Sequence, residues 1–430
     1  MDSPNYDISR SIALLTQGAP VSVADPAPGD ALPAAREPAP GRISVVPVEE
    51  TAQLAQWVPE WEQLAASALE PNVFYEPWQI LPAIEAFGNR SRLIHLLVFS
   101  QDPAAPAARP LLCAYFPFER LRRFQGVPVS VLTLWKHIHC FLCTPLIRPG
   151  YAMPSLTALM EWACADPRGA AIVQFPQVAA DGPFKKALDE FRRHWSHPSF
   201  AFGKYDRALF VPRADADEYL LAAVSPKSRK QLRRLTRRLS EEGNVEVTEL
   251  GSNGDLEAWV ESFLELEASG WKGRADSALA CHDSERKFFK TMTHEAFRRG
   301  RLMMLALKLD GRPIAMKCNL LTGRASFSFK IAFDETFAHF SPGMLLEIEN
   351  IRRLHSASGL EWMDSCAVSN HSMANRLWID RRTIQSLAIA SGRPMGKLLV
   401  KALPTVSRLA RRFVWPGRAE IVKTSPGGEP

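Results

Sequence analysis

"FKIAFDETFAHFSPGMLLEIENI", Phe329 to Ile351, decides how the rest of the chain is read. An apolar strand pattern breaks at Asp334-Glu335, crosses a short polar loop and restarts at Ser341-Pro342-Gly343 with apolar residues at helical spacing. A helix that starts there leaves its first N–H groups free, and its dipole favours an anion beside them. Pro342 fits an early helical position, Gly343 allows close approach to the backbone, and Ser341 is a capping type. On the strand, alternation places Phe327, Phe329, Ile331 and Phe333 on one face and Ser326, Ser328, Lys330, Ala332 and Asp334 on the other. That small, polar face around one lysine suits a cleft floor. The plainer alternative is a Lys330 that stretches to solvent beside Asp334.

Outward from this stretch, the second half of the chain has a definite order. "NVEVTEL" reads as a strand, followed by helices at "GDLEAWVESFLELEASG" and "SERKFFKTMTHEAFRRG". Three strands come next, "RLMMLALKL", "RPIAMKCNLL" and "ASFSFKIAF", joined by the turn signals "DGRP" and "TGR". After the helix "GMLLEIENIRRLHSA" come a strand at "LEWMDS", a short helix at "HSMANRLWIDRR" and a strand at "TIQSLAIA". The first half, from "ISVVPVE" to "YDRALFV", shows the same β-α-α-β-β-β-α-β-α-β order. Between them "YLLAAVSPKSRKQLRRLTRRLSEEG" reads as a long helical pattern interrupted at Ser225-Pro226. The expected organisation is an Ala/Pro-rich disordered tail over 1–42, a first domain over 43–213, a basic connecting helix over 214–243 and a second domain over 244–430 with a helical extension. The fold class is α/β with mixed sheets (α+β in character), two domains in tandem.

Bulk properties narrow the function. A net charge of +6 over 430 residues fits a polyanionic ligand without requiring one. No apolar run of membrane-spanning length occurs, and the N-terminus is a poor signal peptide. Seven scattered cysteines argue for reduced thiols and a cytoplasmic address. "HIHCFLC" gathers His137, His139, Cys140 and Cys143, which are zinc-ligand types, but the chain has no second pair to complete a structural site. The reading is a polar strand end with two buried thiols, and no metal is expected.

The order of elements resembles the GNAT acyltransferase fold. More specifically, "ELEASGWKG", "GRPIAMKCNLL", "FKIAFDETFAHFSPGMLLEIENI", "MDSCAVSNHSMANRLWIDRR" and "TIQSLAI" resemble the GNAT-like proteins of the CelD type, associated with cellulose or exopolysaccharide biosynthesis and distantly related to FemABX transferases. The resemblance is strong from about Leu220 to Ala390 and weaker from Trp57 to Val211. It implies two GNAT-like domains, the first degenerate and shaping an acceptor groove, and the second binding acetyl-CoA or another acyl-CoA as co-substrate. It also implies an amine acceptor, a small molecule or a glycan or lipid amine, in polysaccharide or cell-envelope biosynthesis. In place of the family's Gln/Arg-x-x-Gly-x-Gly/Ala loop, this chain has "HFSPGML", with one glycine.

By this resemblance, Phe333, Ser341, Pro342, Gly343 and Met344 hold the donor, and Trp271, Lys272, Trp378 and Arg381 flank the acceptor. Asp364, at the end of "LEWMD", is a carboxylate at the cleft mouth that orients an amine or takes its proton, or else a helix cap. Lys330 and Glu267 complete the catalytic candidates, with Glu267 the weaker base. The last tyrosine is Tyr219, so the second half has none to protonate a leaving thiolate. Lys227 to Arg238 carries seven Lys or Arg and no acid. RNA, an acidic polymer or lipid surface, and a solvated helix face all fit that composition, and the lack of interleaved aromatics speaks against single strands. Partners expected are the acceptor and peripheral contact with a membrane biosynthetic complex, with no DNA and with RNA disfavoured. Two rival readings remain: a transferase that uses aminoacyl-tRNA, and an inactive scaffold.

Overall fold

The computed structural model describes residues 6–7 and 41–413, apart from 89–91, 106 and 358. The tail expected over 1–42 lies outside the described residues except for β1 (Tyr6–Asp7) and the beginning of β2 (Arg42–Val48). The first half continues with α1 (Val58–Ala66), α2 (Pro77–Phe87), β3 (Leu93–Gln101), β4 (Leu111–Leu121), β5 (Val131–Leu134), β6 (Leu146–Ile147), α3 (Ala152–Ala165), β7 (Ile172–Ala179), α4 (Gly182–His194) and β8 (Ser199–Phe210). Helices α5 (Ala216–Ala223) and α6 (Pro226–Glu242) connect the halves, separated at Ser225-Pro226 as the sequence predicts. The second half holds β9 (Val245–Glu249), α7 (Leu256–Ser269), α8 (Trp271–Arg274), α9 (Asp283–Arg298), β10 (Leu302–Leu309), β11 (Arg312–Thr322), β12 (Ala325–Phe333), α10 (Pro342–Ser356), β13 (Trp362–Asp364), α11 (Ser372–Leu377) and β14 (Asp380–Ala390), and α12 (Pro394–Phe413) follows. The expected order is present in both halves, with β6 and α8 added.

Local chemistry explains the joints. Asp310 and Gly311 both have positive φ, 49° and 80°, the geometry a tight β10–β11 hairpin requires. Helix α6 keeps Leu232, Leu235 and Leu239 buried as one stripe, and Ser225 caps it by accepting from the Ser228 N–H at 3.2 Å. The helix expected over "HSMANRLWIDRR" stops at Leu377, because Asp380 to Arg382 pair with β8 and belong to β14.

A single mixed sheet contains all the described strands, in the order β1-β9-β10-β11-β12-β13-β8-β14-β7-β5-β4-β3-β2, with β6 beside β4. Within each half one pair is parallel, β5 with β7 and β12 with β13. The last strands are exchanged. β8, from the first half, pairs with β13, and β14, from the second, pairs with β7. β8 and β14 also pair with each other, from Asp380 opposite Leu209 to Ile389 opposite Ser199. The halves are therefore interlocked through the centre of one sheet.

A buried polar node sits at this crossing. Asp364 ends β13 and is fully buried; its Oδ2 lies 2.6 Å from Arg207 Nη2 on β8 and 3.3 Å from Arg382 Nη1 on β14. Arg382 Nη2 reaches Glu70 Oε1 at 2.9 Å, and Arg207 Nη1 donates to the Phe141 carbonyl at 2.7 Å. Two cations and two anions balance. Burial alone would weaken the guanidinium's hold on its proton, but the Asp364 charge outweighs it and raises the Arg207 pKa above the usual arginine value. Removing one partner of such a set leaves a bare buried charge. Asp364→Ala is accordingly expected to cost about 3–5 kcal/mol in urea unfolding, and a loss within the range of surface substitutions would show that the node does not hold the halves together.

Candidate functional site

The cleft arises where two strands part. β12 and β13 pair in parallel only from Ala325–Phe327 to Trp362–Asp364. β12 then continues to Phe333, while the chain beyond Asp364 turns through Cys366, whose φ is 55°. The gap holds a cavity of about 200 Å³ lined by Ser328, Lys330, Ile331, Cys366, Met373 and Trp378, with Phe141 reaching in from the first half. A second cavity of about 180 Å³ adjoins it, walled by Glu267, Trp271, Lys272, Phe333, Glu335 and the Asn370–Ser372 turn. Lys272, Ile331 and His371 line both, so the two are parts of one cleft across β12.

The strand reading changes at one point. Cys318 pairs with Lys330 but Asn319 pairs with Ser328, so β12 carries one extra residue at Phe329. Such a bulge shifts the alternation by one. Phe329 is buried against Phe289, and Lys330, instead of facing away from it, points to the same side and reaches Glu267 on α7. Ile331 and Phe333 swing to the α10 side, beside Gly343. The partner expected for Lys330, Asp334, is engaged elsewhere: it pairs with Arg312 and accepts from the Thr336 N–H at 3.0 Å.

Glu267 is the centre of the cleft's charge. It is 2% exposed, and its Oε1 lies 3.0 Å from Lys272 Nζ and 3.5 Å from Lys330 Nζ, while its Oε2 accepts from the Leu279 N–H at 2.9 Å. Burial alone would raise its pKa, but Lys330 and Lys272 outweigh that and hold it below the ordinary carboxylate value. Burial holds Lys330 below the usual lysine value despite Glu267, and the Lys272 charge acts in the same direction. Lys272 also donates to the Ile331 carbonyl at 3.1 Å, tying α8 to β12. Glu335 fastens the other side of α8, accepting from the Trp271 N–H at 2.5 Å and from Arg274 at 2.6 Å. Trp271 lines the cleft beside this bond.

The helix start lies directly behind Phe333. Pro342 and Gly343 are buried, and a Cβ on Gly343 would sit 3.5 Å from Phe333 and 3.8 Å from Ile331 and Met373. Ser341 does not cap with its hydroxyl as expected. Its backbone is left-handed, φ 55°, whereas a side-chain cap needs an extended residue, and only its carbonyl accepts, from the Met344 and Leu345 N–H groups at 3.0 and 3.2 Å.

Two expected site residues take other roles. Asp364, buried between two arginines, is not placed to receive a proton from an acceptor. Arg381 is exposed and its guanidinium donates to the Trp378 and Asn375 carbonyls at the end of α11, so it closes a helix rather than lining the cleft. Trp378 does reach the cleft, although it is almost wholly buried and donates to Glu347 Oε1 at 3.1 Å.

Sequence reasoning missed the layer beneath. Lys317 and Glu347, both buried, pair at 2.8 Å, and Lys317 donates to Ser328 Oγ at 2.6 Å. Glu347 also accepts from Asn350 at 2.8 Å. Polar residues on the inward face of an otherwise apolar helix, "LLEIENI", were the available signal. His371 was missed as well; it caps α11 through Nδ1, 3.2 Å from the Ala374 N–H. In the first half, His139 pairs with Glu285 at 2.8 Å, His137 stacks on Phe87, and the Cys140 and Cys143 sulfurs are 3.9 Å apart. Among the described residues no His, Cys, Asp and Glu cluster is arranged to hold a metal ion.

Comparison with known proteins agrees with this architecture. A family model described as an acetyltransferase (GNAT) domain matches residues 226–371, which run from α6 to the cap of α11 and include most of the cleft's lining. No curated protein matches the chain. Among solved structures, FemX is similar at 12% identity over 76% of this chain and 95% of its own, with a TM-score of 0.50. A conserved protein of unknown function from Bacteroides thetaiotaomicron VPI-5482 aligns at 8% identity over 81% of this chain and 100% of its own, TM-score 0.48. A tandem GNAT protein from the clavulanic acid biosynthesis pathway aligns at 11% identity over 82% and 99%, TM-score 0.41. The fold is a mixed α/β, GNAT-like one; at 12% identity the likeness to FemX extends to the fold alone.

The Glu267 cluster has a pH signature. Its carboxyl has a lower pKa folded than unfolded, so the unfolded chain binds more protons in acid. The stabilisation is complete above the unfolded value, about 4.3, and is lost as the pH falls through the lowered folded value. Thermal stability measured across that range is expected to decline less steeply in Glu267→Gln than in the parent; identical slopes would remove Glu267 from the acid response.

Proposed function

We propose that this chain is an acyl-CoA-dependent N-acyltransferase, with acetyl as the first acyl group to test. The observation that carries the reading is the parting of β12 from β13 directly above the start of α10, inside the stretch that matches a GNAT acetyltransferase domain. Charge and space both fit the donor. The N-terminus of α10 offers its positive dipole end and the Gly343 N–H to a pyrophosphate beside Ser341 to Met344, since the Ser341 and Met344 N–H groups already donate to the Ala338 and Ser341 carbonyls and Pro342 has none. Gly343 keeps a side chain out of the space beside Phe333, and the gap between the strands accommodates a slender arm. When bound, the donor supplies an activated thioester carbonyl.

The chain's own groups then have distinct tasks. Lys330 and Lys272 are the ammonium donors available to a carbonyl oxygen as charge develops on it. Glu267 stays ionised, which suits it to attract and orient an ammonium more than to take its proton. Trp271 offers an aromatic face at the mouth of the cleft. Asp364 is left with a structural role. The acceptor class rests on the CelD-type resemblance: an amine on a glycan, lipid or small molecule of envelope or polysaccharide synthesis, reached from the cytoplasm.

Titration calorimetry tests the donor. Acetyl-CoA or a longer acyl-CoA should give heat, Gly343→Ala should bind close to the parent because the added methyl meets only ordinary contacts, and Gly343→Trp should not bind. No heat with any acyl-CoA overturns the assignment. Assayed as CoA release against a panel of amines, Lys330→Met is expected to lower kcat by about 10²-fold with little change in donor affinity. A parent that binds acyl-CoA yet turns over none of the amines would favour an inactive scaffold.

A further inference from the structure

We propose that helix α6 docks the protein on an anionic lipid bilayer. Lys227, Lys230, Arg233, Arg234 and Arg237 line one shallow concavity on its outer face. Among the described residues only Arg237 of these five has an acidic partner, an exposed Glu241 at 3.6 Å. The charge also runs against the helix. No acid occupies the first turn, where the dipole favours one, and the acids Glu241 and Glu242 sit at the last turn, where it favours cations. Like charges stand three and four residues apart at Lys227–Lys230, Lys230–Arg234 and Arg233–Arg237, and each such pair repels. The helix persists because Leu232, Leu235 and Leu239 are buried. Fold stability gives no reason for this charge pattern, whereas an anionic partner does.

The form of the surface selects the partner. From Lys227 to Arg238 every exposed residue is polar or basic, so the face neither stacks on bases nor inserts into hydrocarbon. Every residue lining the concavity belongs to this one helix, so it is a shallow dip between side chains along the helix's convex outer ridge. A polymer backbone is tracked by a groove with two walls. A plane of headgroups meets a ridge along its whole length, about 15 Å from Lys227 to Arg237. A cluster of this size on a helix is what anionic headgroups recruit. Arg238 lies over Phe340 at 5.7 Å, and the turn Glu335–Phe340 contributes Glu335 to the cleft wall, so docking here sets the height of the cleft above the membrane. The docking surface stands whether or not the acyl transfer proposed above is correct.

The test is co-sedimentation of the full chain with vesicles. Mixed phosphatidylglycerol and phosphatidylcholine vesicles should bind it, pure phosphatidylcholine should not, and added salt should release it. Lys227→Glu/Lys230→Glu/Arg234→Glu should weaken binding at least about a hundredfold, at about fivefold for each basic charge lost before any added repulsion, with a melting temperature equal to or above the parent's because the new charges suit the dipole. Should that variant fail to fold, Lys227→Gln/Lys230→Gln should still weaken binding measurably. Binding to neutral vesicles as strong as to anionic ones, binding unchanged in the folded variants, or capture of a duplex RNA probe with no vesicle binding each overturns the proposal.

Discussion

The interlock between the two halves of the chain passes through the carboxylate of Asp364. It terminates the short strand β13 and accepts from Arg207 on one exchanged strand and Arg382 on the other. Three strands from two halves of the chain converge on a group that water does not reach. An unpaired charge there is costly, so the node is stable only when β8, β13 and β14 are all in place. The same residues that interlock the halves also fix where β13 stops, and therefore where the sheet opens.

The cleft inherits its geometry from that stop. Beyond Asp364 the chain leaves the sheet, and β12 loses its parallel neighbour while it still has several residues to run. The bulge at Phe329 then turns Lys330 towards α7 and Ile331 with Phe333 towards α10. One face of this strand, which keeps only β11 beside it, carries Lys330 against Glu267 of α7 and Lys272 of α8, and the other backs onto the helix start. A cleft with a charged side and an anion-binding side follows from two ordinary devices, a short strand and one extra residue. The first half contributes Phe141, held by the hydrogen bond from Arg207, so the node also reaches the cleft wall.

Much of the fold was legible because periodicity and punctuation are local. The order of elements in both halves, the hairpin at Asp310-Gly311, the break at Ser225-Pro226 and the buried leucine stripe of α6 all follow from residues within a few positions of one another. The nearness of Lys330, Phe333 and Gly343 was legible for the same reason, since all three belong to one strand–loop–helix stretch, whereas Trp271 and Lys272 were set beside them only by the family resemblance. Asp364 and Arg381 were misread because a polar residue at an element's end looks alike whether it faces a ligand, a buried arginine or a backbone carbonyl. The Lys317–Glu347 pair went unread because its members are distant in sequence and each, alone, resembles a surface residue.

By itself, the sequence determined the two repeated halves, the strand that feeds a helix at Ser341-Pro342-Gly343, and the basic face of α6, since each depends on spacing along the chain. Only the tertiary structure decided that the final strands change places, that β12 carries a bulge, and that Glu267 lies between two lysines. Those features depend on which strand lies beside which and on which charges share a space closed to water, and neither is encoded in any single stretch of residues.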